Sequence, residues 1–242
     1  MVLSPTYSPV SEAAPQLRSR GYAVLDAQAV CELAGCGRAD LLALNPSWDD
    51  LPPDAYLKDG GRYRRRRHSC FVVEGGELVQ APHRAHWQPV EYNALHGGMQ
   101  RWFEPMQGDV AAAPAWSKLL LGLGRLATSV KGRQKWYVEA HQFRIDTTDG
   151  IGRPTPEGAH RDGVDLVAVF LLGREGIKGG ETRVFEADGP AGQRFTLDQP
   201  WSVLLLDDER VVHETTPIQP TAAGGHRDTL VLTYRADGFQ GD

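Results

Sequence analysis

Cysteine is scarce and cannot be fully paired: Cys31, Cys36 and Cys70 are odd in number, and none stands in the CxxC spacing of a zinc site or redox dithiol. A reducing cytoplasm is the simplest home for such a chain. Long hydrophobic runs are missing as well. No stretch approaches the ~18 apolar residues needed to cross a bilayer. The N-terminal MVLSPTYSPVSEAAP lacks the charged start and apolar core of a secretory leader, so neither secretion nor membrane insertion is expected. Nor is there an excess of positive charge. A formal net charge of −5 and a pI near 5.9 give no general reason to expect nucleic acid or an anionic membrane as partner, and a small solute fits better. Internal repeats and low-complexity blocks are also lacking, which argues against a solenoid or an array.

What is present is a chain of 242 residues with 41% hydrophobic content, enough for one large core and cramped for two. We read residues 1–242 as one domain, with residues 1–10 as a mobile arm. A short helix opened by Ser11 and ended by Gly21 leads to a strand, Tyr22–Leu25. Helical spacing over 27–44 is interrupted by Gly35 and Gly37, so two short helices are as good a reading as one. Cys70–Val73 is strand-like. Helical spacing returns between Tyr92 and Met106 and again in Trp116, Leu119, Leu120, Leu123, Leu126, Ala127 and Val130, a stripe read as core packing.

The second half reads as short strands separated by Gly, Pro and Asp: Trp136–Ile145, Asp165–Leu172, Glu181–Ala187, Gln193–Leu197, Trp201–Leu206, Val211–Ile218 and Asp228–Tyr234. That rhythm suggests a jelly-roll or barrel. The expected fold is mainly β with flanking α-helices.

The chemistry concentrates in Glu157-Gly158-Ala159-His160-Arg161-Asp162-Gly163. In an extended segment His160 and Asp162 point to the same side and can bite one metal ion. An isolated HxD is more often an exposed loop pair, but here further features follow in order. His213 closes an apolar strand and an Asp-rich turn, and Gly179-Gly180-Glu181-Thr182 and Arg227-Asp228-Thr229 flank it in sequence. Two imidazoles and a carboxylate on one face of an octahedron suit iron(II) and leave three positions open, whereas the HExxH pattern of a zinc protease is absent. Arg227 can hold the far carboxylate of a doubly anionic cosubstrate with two parallel hydrogen bonds, and Thr229, two positions on, can donate to the same group. A surface arginine is the plainer reading of Arg227, and it weakens because His213 stands 14 positions earlier.

These residues resemble the pattern of the 2-oxoglutarate and iron(II)-dependent dioxygenase superfamily: HxD, a distal His, then Arg-x-Ser/Thr, met by His160, Asp162, His213, Arg227 and Thr229. More narrowly, Gly21–Leu25, the run Arg62-Tyr63-Arg64-Arg65-Arg66, Pro156–Gly163 and the C-terminal strand resemble the bacterial family that includes L-isoleucine 4-hydroxylase and related free amino-acid hydroxylases. The resemblance implies a double-stranded β-helix with the metal at its mouth. It also implies iron(II) as cofactor, 2-oxoglutarate and dioxygen as cosubstrates, and hydroxylation of a C–H bond with release of succinate and carbon dioxide. Related halogenases carry a small residue where Asp162 stands, so the carboxylate argues for hydroxylation.

The substrate pocket is less legible. On the strand Trp136–Ile145, Gln142 and Arg144 share one face and His141 and Phe143 the other, so Gln142 and Arg144 either line the pocket or face solvent. Glu157 can meet a substrate ammonium or be a surface carboxylate. The arginine run can recognise a carboxylate, though in an acidic chain it is more often a charged strand face with alternate arginines pointing apart. His68, His83, His86, His96, His141 and His226 share no spacing that completes a second site and read as surface or hydrogen-bonded histidines. Two rivals remain: the same chemistry on a protein side chain, lipid or secondary metabolite, and a jelly-roll module that binds metal and 2-oxoglutarate without turnover.

Overall fold

In a computed structural model of the protein, residues 3–93 and 95–241 are described. The chain forms helices α1 (Val10–Arg20), α2 (Ala27–Ala34), α3 (Arg38–Leu42), α4 (Gly108–Ala112) and α5 (Pro114–Lys131). Its strands are β1 (Tyr22–Leu25), β2 (Arg64–Glu74), β3 (Glu77–Gln80), β4 (Lys135–Asp146), β5 (Leu166–Glu175), β6 (Ile177–Gly179), β7 (Thr182–Glu186), β8 (Gly192–Phe195), β9 (Val203–Asp207), β10 (Val211–Thr215), β11 (Ile218–Pro220) and β12 (His226–Arg235). A seven-stranded antiparallel sheet, ordered β1-β9-β5-β12-β4-β2-β3, stands against a three-stranded sheet, β10-β7-β8, and a β11-β6 pair. This arrangement is the expected jelly-roll core, mostly β with helices outside.

Side-chain alternation sorts the large sheet into two faces. One face carries Trp136, Val138 and Ala140 of β4 and Leu230, Leu232 and Tyr234 of β12, all fully buried and packed in one cluster with Leu17, Val30, Trp116, Leu119, Leu120 and Leu123 of the helices. The predicted stripe on α5 is therefore core. The other face puts Val167 and Leu171 of β5 against Val184, Phe195 and Val211 of the small sheet, and farther along it opens into a cavity. Helices 27–34 and 38–42 realise the two-helix reading, with Asp26 capping the first through Ala29 N at 2.9 Å and Gly35 ending it in a left-handed conformation.

Three expectations need correction. The arm at residues 1–10 is docked where it is described: Ser4 Oγ and Tyr7 OH donate to Asp198, and Ser8 N donates to Val24 O at 2.8 Å, while residues 1 and 2 lie outside the described residues. Tyr92–Met106 contains no helix among its described residues. It is an irregular strap, because Gly97 packs so tightly that a Cβ there would sit 2.5 Å from Asn93 O, and the polar Asn93 and Arg101 turn inward. The expected strand over 211–218 is two strands, since Pro217 has no N–H for the ladder.

Candidate metal centre and its cavity

His160 and His213 are brought together by main chain. Each backbone N–H donates to the other residue's carbonyl, at 3.0 and 2.9 Å, forming an isolated bridge that adds the HxD segment to β10. Their rings lie 4.7 Å apart between centroids, and Asp162 places its carboxylate oxygens 3.8 Å from His160 Nε2 and 4.0 Å from His213 Nε2. The three ligand atoms lie within 4.8 Å of one another. His160 Nδ1 is 2.9 Å from Gly158 O, which makes Nδ1 the protonated nitrogen and turns the Nε2 lone pair toward the other two residues. An imidazole held in that tautomer is what a metal ligand requires.

Asp208 fastens the loop. Its Oδ1 accepts from Asp162 N at 3.0 Å, and its Oδ2 accepts from Gly163 N and Val164 N at 2.7 and 3.1 Å. Gly163 turns the chain with φ of +76°, and a Cβ there would meet the Tyr92 ring at 2.5 Å. Burial, then the charge of Asp162, pushes the Asp208 carboxyl up to about 7. Asp162 is raised too, chiefly by burial, with His160 opposing. Burial disfavours charge on His160, yet Asp162, Glu157 and the Gly158 carbonyl together leave its pKa above the ordinary value. His213, buried and facing His160, is held neutral. Two carboxylates and two imidazoles crowded into one buried site are electrostatically unresolved until a cation joins them, and N/O donors of this kind fit iron(II).

The centre opens into a cavity of about 960 Å³, mouth included, whose wall holds all of the predicted metal ligands together with Arg227, Thr229 and Glu157. Arg227 is 5% exposed, and its Nη2 is buried without a hydrogen-bond partner. Burial, followed by repulsion from Arg174, lowers its pKa to about 10. A buried guanidinium that lines a cavity and has an idle N–H fits a carboxylate. Gln142 and Arg144 are not brought to this cavity. They share the sheet face toward the helices, where Gln142 Nε2 donates to Ser47 Oγ at 2.7 Å and Arg144 pairs with Asp228 and Asp49. The opposite face of β4 lines the cavity with Glu139, His141, Phe143 and Ile145.

Two groups escaped sequence reasoning. Gln88, just before the strap, donates from Nε2 to Asp162 Oδ1 at 3.3 Å while its Oε1 accepts from Asn93 and Arg101. No periodicity marks it, because the chain there is irregular. Gln88→Ala is expected to weaken iron binding roughly 10- to 100-fold, the usual effect of removing an outer partner of a metal ligand, as read by metal titration.

The second group is the buried quartet His68, His86, Glu139 and His141, whose three histidines are hydrogen-bonded and lie together, a grouping that no sequence spacing marks. His68 Nε2 and His86 Nδ1 reach the same oxygen, Glu139 Oε2, at 2.9 and 2.6 Å. Arg66 Nη2 lies 2.7 Å from His141 Nδ1. Guanidinium can only donate, so His141 carries its proton on Nε2 and cannot offer that atom to a cation. The quartet is a hydrogen-bonded carboxylate cluster.

Its histidines are kept neutral by burial, which lowers all three below the ordinary 6.5, His86 to about 3, against the pull of Glu139 on His68 and His86. Burial also opposes charge on Glu139, but His86 and His68 outweigh it and hold the carboxyl well below its usual range. As pH falls below 6.5 the unfolded chain takes up a proton on the His86 imidazole and the folded chain does not. The share of stability that depends on His86, complete above that pH, should then fall by ~1.4 kcal/mol per pH unit, while the raised Asp208 carboxyl works in the opposite sense. The difference in unfolding midpoint between metal-free wild type and a His86→Ala variant should therefore shrink from pH 6.5 to about 5 and hold nearly level above about 7. A difference that stays level through the acid range would mean that His86 is not buried neutral.

Comparisons with known proteins agree with this site. The family described as 2OG-Fe dioxygenase matches residues 45–233. The crystal structure of a bsmA homolog from Methylobium petroleophilum is similar at 53% sequence identity and a TM-score of 0.93, covering 99% of this chain and 98% of that one. Two more distant crystal structures share the fold. IDO from Bacillus thuringiensis has 16% identity and a TM-score of 0.76, covering 98% of this chain and all of that one. The Fe(II)/α-ketoglutarate-dependent dioxygenase TqaL has 20% identity and a TM-score of 0.72, covering 96% and 88%. No curated protein matches the chain. With a His/Asp/His centre at the mouth of a jelly-roll and a family match over most of its length, the chain belongs to the 2OG-Fe dioxygenase family.

Proposed function

We propose that this dioxygenase hydroxylates a C–H bond of a free L-amino acid, with release of succinate and carbon dioxide. One observation carries the reading: the metal centre, the idle guanidinium of Arg227 and buried charges of both signs line a single cavity. Such a cavity suits a small, dipolar solute. When bound, iron(II) with 2-oxoglutarate and dioxygen supplies an oxidant able to replace hydrogen by hydroxyl at an unactivated carbon.

The protein's own part is positional. His160, Asp162 and His213 hold the metal, and Asp208 keeps the HxD loop in place through three backbone N–H groups. Arg227 holds the far carboxylate of 2-oxoglutarate, and Thr229, two residues along β12 on the same face, adds a hydroxyl donor. Phe143, Val164, Val169 and Val231 give the cavity apolar walls that exclude water from the reacting carbon. The presence of a carboxylate at Asp162 favours transfer of hydroxyl over halide.

The test is incubation of the protein with iron(II), ascorbate, 2-oxoglutarate and pooled L-amino acids in air, following succinate and any product heavier by one oxygen atom. Both should appear, and both should vanish in His160→Ala. Succinate formed with no amino acid altered would move the substrate to a protein side chain, a lipid or a secondary metabolite. Absence of any metal-dependent succinate would leave a binding module without turnover.

A further inference from the structure

We propose that Arg64 and Arg101, from β2 and the strap, and Glu157, from the segment that carries His160, read the carboxylate and the ammonium of the substrate, so that an unblocked zwitterion is the required form. This rests on the amino-acid reading above and says how that class is recognised.

Arg64 and Arg101 are 6% and 2% exposed and line the cavity, yet Arg64 Nη2 and Arg101 Nε are buried with no hydrogen-bond partner. Glu157 Oε2 is buried and idle in the same way. Opposite charges enclosed together ordinarily pair, because an idle buried charge loses its hydration for nothing. Among the described residues no ion pair joins Glu157 to either arginine.

Each is held back by other partners. Asp54 Oδ2 accepts from Arg64 Nε at 2.7 Å, and Gln88 Oε1 accepts from Arg101 Nη2 at 3.0 Å. Glu157 Oε1 lies 3.7 Å from His160 Nε2. The third guanidinium nearby, Arg66, has a buried Nε without a partner as well, but it is stacked between the Phe103 and Phe143 rings, with Nη2 against His141 Nδ1. Arg64, Arg101 and Glu157, each with an idle polar atom, therefore line one cavity from three different segments.

The charge count points the same way. Around this end of the cavity Arg64, Arg66 and Arg101 face Asp54, Glu139 and Glu157, three against three, with His68, His86 and His141 neutral. A zwitterion keeps that balance. An N-acylated amino acid brings an uncompensated negative charge and leaves Glu157 idle, and an ester brings an uncompensated positive charge and leaves the arginines idle. A site built around buried polar groups rejects ligands that fail to pair them.

The experiment is a binding measurement on protein loaded with zinc(II) and 2-oxoglutarate, so that no turnover occurs. Each of the twenty L-amino acids is titrated by calorimetry, and those that bind are compared with their N-acetyl and methyl-ester derivatives. Blocking either end should weaken binding on the order of a hundredfold, the worth of a charged hydrogen bond. Arg101→Met should weaken the free amino acid and its N-acetyl derivative and reduce the penalty for esterification, with Arg64 supplying what remains of it. Glu157→Gln should erase the penalty for acetylation. Arg64 is left unsubstituted because its buried pairing with Asp54 also supports the fold, and the blocked ligands probe it in the native protein.

Derivatives that bind as tightly as the free amino acid, or variants that keep the native preference, overturn the subsite while the wild type still oxidises the amino acid. If no amino acid is bound or oxidised although 2-oxoglutarate is consumed with another substrate, the amino-acid reading itself fails, and the subsite falls with it.

Discussion

His213→Ala should leave the fold standing and the enzyme dead. The backbone bridge between His160 and His213 uses only main-chain atoms, so β10 keeps its register and the HxD segment its place. What disappears is one of three donor side chains whose ligand atoms lie within 4.8 Å of one another. Loss of an outer partner alone typically costs 10- to 100-fold in metal affinity, so loss of a direct ligand should exceed ~100-fold. Succinate formation should then fall below detection at ordinary iron concentrations. Metal content after dialysis, together with succinate yield, checks this. Iron retained at native stoichiometry would show that the metal is held elsewhere. The buried quartet around Glu139 is the obvious alternative, and a parallel His86→Ala variant that still binds iron would eliminate it.

For Arg227→Met the expectation is a split between binding and stability. Arg227 is buried at the base of the cavity with an unused N–H and no acid paired to it among the described ion pairs. Truncating a buried charged contact typically costs 2–5 kcal/mol, which is roughly 30- to several-thousand-fold in affinity for 2-oxoglutarate. The rate at saturating 2-oxoglutarate should suffer far less, since the metal centre is untouched, giving a rise in KM larger than the fall in kcat. Metal-free protein should move the other way. Methionine removes a buried charge that repels Arg174, and replacing such a charge by a side chain of similar volume often gains about 1–4 kcal/mol. A higher Tm with weaker 2-oxoglutarate binding marks an arginine kept for its ligand. A lower Tm with unchanged affinity would mark an arginine kept for the fold.

The chemistry was legible in the sequence where it depends on local order. His160 and Asp162 are two apart, so any extended backbone turns them the same way, and Arg227 and Thr229 share a face of β12 for the same reason. The alternating arginines of β2 behave likewise: Arg64 and Arg66 are buried and Arg65 is exposed. What local order could not decide is which face of a strand looks inward. On β4 the polar side chains Gln142 and Arg144 suggested the cavity face, but the cavity took Glu139, His141, Phe143 and Ile145. The helices needed the face carrying Trp136, Val138 and Ala140, and the period of two then settled every other position.

By itself, then, the sequence determined the strand rhythm, the metal-ligand set, the buried stripe on α5 and the absence of a membrane-crossing run, because each rests on residues close in the chain or on composition. Tertiary structure decided the rest. It joined His160 to His213 through a backbone bridge and brought Asp208 under the HxD loop. It also folded an irregular strap so that Gln88 and Arg101 meet the sheet, and it brought His68 and His86 to Glu139, which has His141 two residues away on its own strand. The pairs that matter there lie 46 to 74 residues apart along the chain, from Asp162–Asp208 to Gln88–Asp162. No local preference encodes such distances. They follow from sheet register, which is set only when the hydrophobic faces of all the strands are buried together.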